Sequence, residues 1–184
     1  KNRPLIFSFN GGPGSASVWM HIAYTGPKVL NIDDEGYPVQ PYGYKSNPNS
    51  IIDVAYDLGI NFIDTADVYT KSESETTLGH ALKGRWDRFV LATKGYFATG
   101  DDTNDKGASR YHIMNAVENS LRRLQSDHID LYQMHRWDET TPIEETMRAL
   151  DDLVSSGKVR YIGASAYASW QLAKANLLSE MNGW

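Results

Sequence analysis

From Ser50 onward the sequence predicts an α/β fold built on a parallel sheet, and three observations carry that expectation. Helix-like and strand-like segments alternate at regular spacing, which implies repeated right-handed crossovers. The strand-like segments are short and almost continuously apolar, as strands covered on both faces are. Polar or ionisable residues close each of four strands, at the edge where parallel α/β barrels build their sites.

The first fifty residues precede that alternation and differ in texture, holding six of the seven prolines and no helical period. Leu5–Phe9 reads as a short strand running into the Asn10-Gly11-Gly12-Pro13-Gly14 loop, where several amides can point the same way. That loop is not a dinucleotide fingerprint, because Ser17 stands where the third glycine belongs and no helix follows. Lys28–Ile32 and Tyr37–Gln40 read as a small hairpin across Asp33–Gly36.

Ser50 and Asp53 resemble a capping box at the head of a short helix over Ile51–Leu58, and Gly59 can take the left-handed position that ends it. Ile60–Asp64 follows as a strand. A helix around Glu75–Lys83 leads to the strand Phe89–Lys94. A helix over Tyr111–Leu124, capped by Ser109, leads to the strand Ile129–His135. Thr141 as cap and Pro142 in the first helical position start the next helix, which Gly157 ends before the strand Val159–Ser165. A last helix covers Ser169–Leu178.

The chain has 184 residues, 41% hydrophobic and 22% charged, which is ordinary for a folded domain. That length is short of the roughly 250 residues of a complete eight-stranded barrel. The net charge of −5 comes without a basic cluster, so neither nucleic acid nor an anionic membrane surface is an expected partner. There is no cysteine, which excludes disulfides and thiolate chemistry and fits a reducing, cytoplasmic setting. No apolar run approaches a membrane span and no signal peptide is recognisable. The start at Lys1 reads as a cut from something longer.

The strand-end residues suit one task. A tyrosine is a poor proton donor at neutral pH until a neighbouring ammonium favours its phenolate, and Lys94 is placed to supply that charge beside Tyr69. Asp64 would hold the lysine charged and in place, and His135 could orient a substrate carbonyl by hydrogen bonding. No metal is needed. His21, His80, His112 and His128 have no partners at ligand spacing and read as surface or packing residues. Asp101–Asp105 lacks the glycine and glutamate of a calcium loop.

The stretches Gly59–Tyr69, Leu91–Lys94, Asp130–His135, Thr141–Glu145 and Gly157–Ser165 together resemble the aldo-keto reductases, over about residues 51–184. The resemblance implies a partial (β/α)8 TIM-type barrel of about four β/α units, with a short β-rich amino-terminal segment. It implies NADPH or NADH as cofactor and a small aldehyde or ketone as substrate. Tyr69 would then be the general acid, Lys94 and Asp64 its tuning pair, and His135 the group that orients the carbonyl. Ser165 would touch the nicotinamide carboxamide. Family members often have Ser-Asn where this chain has Ser165-Ala166, and Trp137 is placed to wall a substrate pocket.

Residues 1–50 resemble a different family. Arg3–Ser15, Gly26–Leu30 and Asn47–Ser50 are similar to the oxyanion-loop segment of serine carboxypeptidases, in which the amide of Gly12 would help hold a tetrahedral oxyanion. No Gly-x-Ser-x-Gly elbow occurs in the chain, so a hydrolase reading lacks its nucleophile. The two resemblances meet at Ile51–Ala55, which implies a truncated chimera with little turnover of its own. The alternative is a non-catalytic fragment that self-associates through the sheet edges Ile60–Asp64 and Val159–Ser165.

Overall fold

The computed structural model describes residues 28–31, 33, 37–46 and 50–184. The strand read at Leu5–Phe9 and the loop containing Gly12 lie outside the described residues. The chain divides into two compact units, 1–60 and 61–184.

In the first unit β1 (Lys28–Leu30) pairs antiparallel with β2 (Tyr44–Ser46). Tyr37–Gln40, the partner for β1 expected from sequence, forms only the tip of that hairpin. Asp33 N donates to Tyr37 O at 3.0 Å and Val39 N to Asn31 O at 3.0 Å. The chain then loops around Asn31, whose Nδ2 donates to the carbonyls of Val39 (3.0 Å) and Pro41 (2.9 Å). One polar side chain thus satisfies the backbone of the loop and delivers Tyr44–Ser46 to the ladder. Helix α1 (Ile51–Asp57) is capped by Ser50, whose hydroxyl accepts from Ile52 N, and ends before Gly59 at φ +84°.

The second unit carries a four-stranded parallel sheet in the order β3 (Phe62–Asp64), β4 (Val90–Gly95), β5 (Ile129–Met134), β6 (Val159–Ala164). Sequential neighbours joined by helices are the arrangement of consecutive barrel units, and the predicted α/β class with a partial barrel holds. The connecting helices are α2 (Glu73–Ala81), α3 (Arg110–Leu124) and α4 (Ile143–Ser155), and α5 (Ser169–Asn182) follows β6.

Helix α3 begins where Ser109 Oγ accepts from His112 N, and it buries Ile113, Val117, Leu121 and Leu124 along one stripe. Helix α4 buries Ile143, Met147, Leu150 and Leu153 in the same way, each worth about 1.5–3 kcal/mol. These stripes close over Leu91, Ile129, Tyr132, Met134 and Val159 in one core. Helix α2 approaches α3 closely at Gly79, where an added Cβ would stand 2.2 Å from Arg123 O.

The cap of α4 differs from the expectation. Pro142 is the cap residue, with ψ 129°, and Thr141 Oγ1 donates to Asp138 Oδ2 at 2.9 Å. Asp138 also accepts from Thr140 N (2.8 Å), Thr140 Oγ1 (2.7 Å) and Ala108 N (2.7 Å). The Thr141 hydroxyl serves this carboxylate instead of the helix. Burial alone would raise the carboxyl, yet these donors hold it at about 2. Asp138 thereby ties the loop after β5 to the loop before α3.

Candidate active site

Side-chain parity along the strands decides what meets what. Lys94 lies opposite Gln133 in the β4–β5 register, and Asp64 opposite Ala92 in the β3–β4 register. Alternation therefore puts Asp64, Lys94 and Gln133 on one face, while Thr93 and Tyr132 lie on the helix-covered face. Asp64 and Lys94 sit at or next to the carboxyl ends of their strands, and His135 and Ser165 directly follow theirs.

Three of the four expected residues touch through one ammonium. Lys94 Nζ donates to Asp64 Oδ2, to Thr65 O at 2.8 Å and to Tyr69 Oη at 3.5 Å. Lys94 is buried, with 5% exposure, and its charge is matched by the carboxylate rather than by water. Gln133 Nε2 donates to Asp64 Oδ1 at 3.0 Å, so both carboxylate oxygens are held.

His135 completes the group. Its ring stands edge-on to Tyr69, with centroids 5.7 Å apart, and edge-on to Phe97 at 4.9 Å. Its backbone N donates to Gly95 O at 3.1 Å. Burial lowers the pKa of the imidazole, Lys94 and Arg136 lower it further, and Asp64 opposes them. The ring is therefore neutral at pH 7, with an N–H to offer a carbonyl oxygen.

Tyr69 reaches this position from a turn of unusual backbone. Its N donates to Ala66 O at 3.2 Å. Thr70, Lys71 and Ser72 follow with φ of 52°, 54° and 72°. Three successive non-glycine residues in the left-handed region cost roughly 1–2 kcal/mol each, a strain that persists because both ends of the turn are fixed. Thr65 Oγ1 and Ser74 Oγ, 2.8 Å apart, bracket it.

Ser165 joins the same strand-end row through its backbone N, which donates to Met134 O at 2.9 Å. Trp137 packs edge-on against Tyr167 and Trp170, each at 5.4 Å, and the ring that borders His135 is Phe97. Phe97 and Gln133 join the site without having been expected there from sequence. Gln133 was detectable by parity, one strand position from two apolar neighbours and in register with Lys94. A cleft of about 600 Å³ lined by Asp127, His128, Val159 and Arg160 lies at the other end of β6, away from these residues.

Residues 44–182 match the Aldo/keto reductase family. The chain belongs to that family. The match begins ahead of the join read at Ile51–Ala55. Similar proteins include versiconal hemiacetal acetate reductase of Aspergillus parasiticus, 42% identical over 154 residues, covering 73% of this chain and 45% of that protein. Norsolorinic acid reductase of Aspergillus flavus is 39% identical over 142 residues, 73% of this chain and 37% of that protein. The uncharacterized oxidoreductase YrpG of Bacillus subtilis is 43% identical over 142 residues, 71% of this chain and 43% of that protein. The chain thus spans less than half the length of these aldo-keto reductase relatives. Among the described residues no helix is long and apolar enough to cross a membrane, and no cluster of His, Asp and Glu could hold a metal ion.

Proposed function

We propose that this chain carries the proton-donating half of an NAD(P)H-dependent carbonyl reductase that acts on small aldehydes or ketones. The observation that carries the reading is the Lys94 ammonium held between the Asp64 carboxylate and the Tyr69 hydroxyl, with the His135 ring edge-on to the tyrosine.

The donor set fits a nicotinamide and a carbonyl. Ser165 follows β6 in the same row of strand ends, where its hydroxyl would hold the carboxamide. When bound, the reduced nicotinamide supplies hydride to the carbonyl carbon. Tyr69 delivers its hydroxyl proton to the carbonyl oxygen as that oxygen gains charge. Lys94 stabilises the phenolate left behind, Asp64 keeps the lysine charged and fixed, and His135 donates to the same oxygen. A proton from solvent then restores Tyr69.

Titrating the purified chain with NADPH by fluorescence tests this reading, with light scattering run alongside to report self-association through β3 and β6. Saturable binding is expected, weak because the chain spans under half of its relatives. No binding at millimolar cofactor would overturn the reading for this chain. Ala166 sits at φ +52°, a conformation asparagine tolerates better than alanine. Ala166→Asn is therefore expected to tighten binding up to about tenfold, one hydrogen bond's worth.

For residues 1–50 we infer descent from a serine carboxypeptidase-like segment, joined near Ile51–Ala55 in a cytoplasmic chimera. An independent clone with aldo-keto reductase sequence upstream of codon 45 would overturn that inference.

A further inference from the structure

Behind the Lys94 ammonium, on the helix-covered face of the sheet, lies a second polar group for which the proton-transfer step has no use. Asp67 is 1% exposed and Tyr132 0%. Neither carboxyl oxygen of Asp67, nor the Tyr132 hydroxyl, has a hydrogen-bond partner among the described residues. The Val68 amide is near enough to favour the charged carboxyl, but not in hydrogen-bonding geometry. Such groups are costly to bury and persist where the surrounding structure needs them.

The two meet at Gly95. A Cβ added there would stand 2.1 Å from Tyr132 Oη and 3.3 Å from Asp67 Oδ2, so the bare Cα is what admits both groups. The same glycine accepts the His135 amide, and Asp67 N donates to Lys94 O at 3.0 Å. Asp67 is also two residues before Tyr69 in the turn that Lys94 Nζ clasps at Thr65 O. Asp67 is therefore bonded through its backbone to Lys94, stands two residues from Tyr69, and places its carboxyl against the glycine whose carbonyl accepts from His135.

We propose that Asp67 is a positioning residue for the proton donor: uncharged, its carboxyl group fills the space beside Gly95 and the Tyr132 hydroxyl and keeps the Ala66–Tyr69 turn seated on the end of β4. This rests on the reading of Tyr69 as proton donor, yet its test needs no turnover. Ionised, the carboxylate is a buried charge that faces Glu75 of α2, which drives it toward water and draws the turn off β4. The charged and titratable groups around it are Glu75, Arg123 of α3 and Tyr132 of β5, with the Lys94 ammonium on the other face of the sheet. Burial, and then Glu75, raise the Asp67 carboxyl to about 7, while Arg123 and the Val68 amide pull it down. The seat is therefore filled below neutral pH and emptied above it.

The experiment is an NMR titration from pH 5 to pH 9 of the chain labelled at tyrosine Cζ and aspartate Cγ, with Tyr69 assigned by Tyr69→Phe. The Tyr69 signal is expected to move with a midpoint near 7, together with the Asp67 carboxyl. In Asp67→Asn, which keeps shape and removes charge, the Tyr69 signal is expected to lose the step near 7, and any movement left follows the edge-on His135 ring. In Tyr132→Phe, which keeps the ring, it is expected to be displaced already at pH 5. The His135 ring, followed by its imidazole proton signals, titrates below its ordinary value and so apart from the step near 7. A Tyr69 signal without a step near 7 in the wild type, one that keeps that step in Asp67→Asn, or one unmoved by Tyr132→Phe overturns the proposal. As a second measurement, the folding equilibrium constant of the wild type, relative to Asp67→Asn, is expected to fall about a hundredfold from pH 5 to pH 8. The sign follows because a carboxyl raised in the folded state binds more protons folded than unfolded across that window. A constant ratio would also overturn the proposal.

Discussion

Replacing Glu75 with alanine is expected to remove about 3–5 kcal/mol of stability, measured as a shift of the urea midpoint. The side chain is fully buried in α2 and accepts from Arg123 Nε at 2.7 Å and from Thr93 Oγ1 at 2.6 Å. Truncation leaves the guanidinium of α3, about one-fifth exposed, without its counter-charge. It also strips the Thr93 hydroxyl, which is fully buried in β4, of its acceptor. The large cost is that of the orphaned partners, not the net worth of the ion pair. Two buried charges sacrifice hydration on folding, and a hydrophobic pair of similar volume can do as well. Accordingly, the double substitution Glu75→Leu with Arg123→Met is expected to recover most of the loss. Equal losses in the single and double variants would show that shape, not charge, holds α2 and α3 together at this point. Thr93 precedes Lys94 in the strand, so the destabilised variant is also expected to loosen the lysine.

The contrast between this buried network and the strand-end residues shows what was legible in the sequence. Asp64, Tyr69, Lys94 and His135 were readable because each lies at or just past the end of a short apolar strand, where local pattern alone fixes the sheet edge. The helices were readable through their punctuation, as with Ser109 before α3 and Gly157 after α4. Glu75, Asp67 and Tyr132 were not singled out, because nothing in their local context marks them as buried. Glu75 looks like one acidic residue of a polar helix, and its burial depends on α3 crossing it at Gly79. A signal existed in Thr93, a polar residue on a β4 face that the doubly covered sheet predicts to be buried, since a hydroxyl there requires an acceptor from a facing helix. The pairing of β1 with Tyr44–Ser46 was missed for a related reason. It depends on Asn31 bonding across a loop, which no period of two or 3.6 encodes.

On the proposed reading, converting Tyr69 to phenylalanine in a full-length version with the missing strands restored is expected to lower the rate of carbonyl reduction by about 10²–10⁴-fold, the usual contribution of a positioned acid, with NADPH affinity unchanged within about twofold. The ring itself is retained, so the edge-on contact with His135 and the Lys94 ammonium 5.1 Å from the ring centroid survive. Only the proton and the 3.5 Å contact to Lys94 Nζ are lost. An effect confined to turnover is what separates a proton donor from a binding residue, because an interaction made only as charge develops on the carbonyl oxygen leaves ground-state affinity alone. Single-turnover oxidation of pre-bound NADPH by excess aldehyde isolates that step from product release. Rates equal to wild type would remove Tyr69 from the role, and His135, the other group able to donate to the oxygen, would be the next to replace. A parallel fall in NADPH affinity would instead show that the hydroxyl helps to build the cofactor site. Lys94→Met provides the complementary case. Among the described residues it leaves Asp64 held only by Gln133, and it deprives the tyrosine of its neighbouring charge. The two variants combined are then expected to be no slower than the worse of them alone, because the ammonium acts on the reaction through the tyrosine.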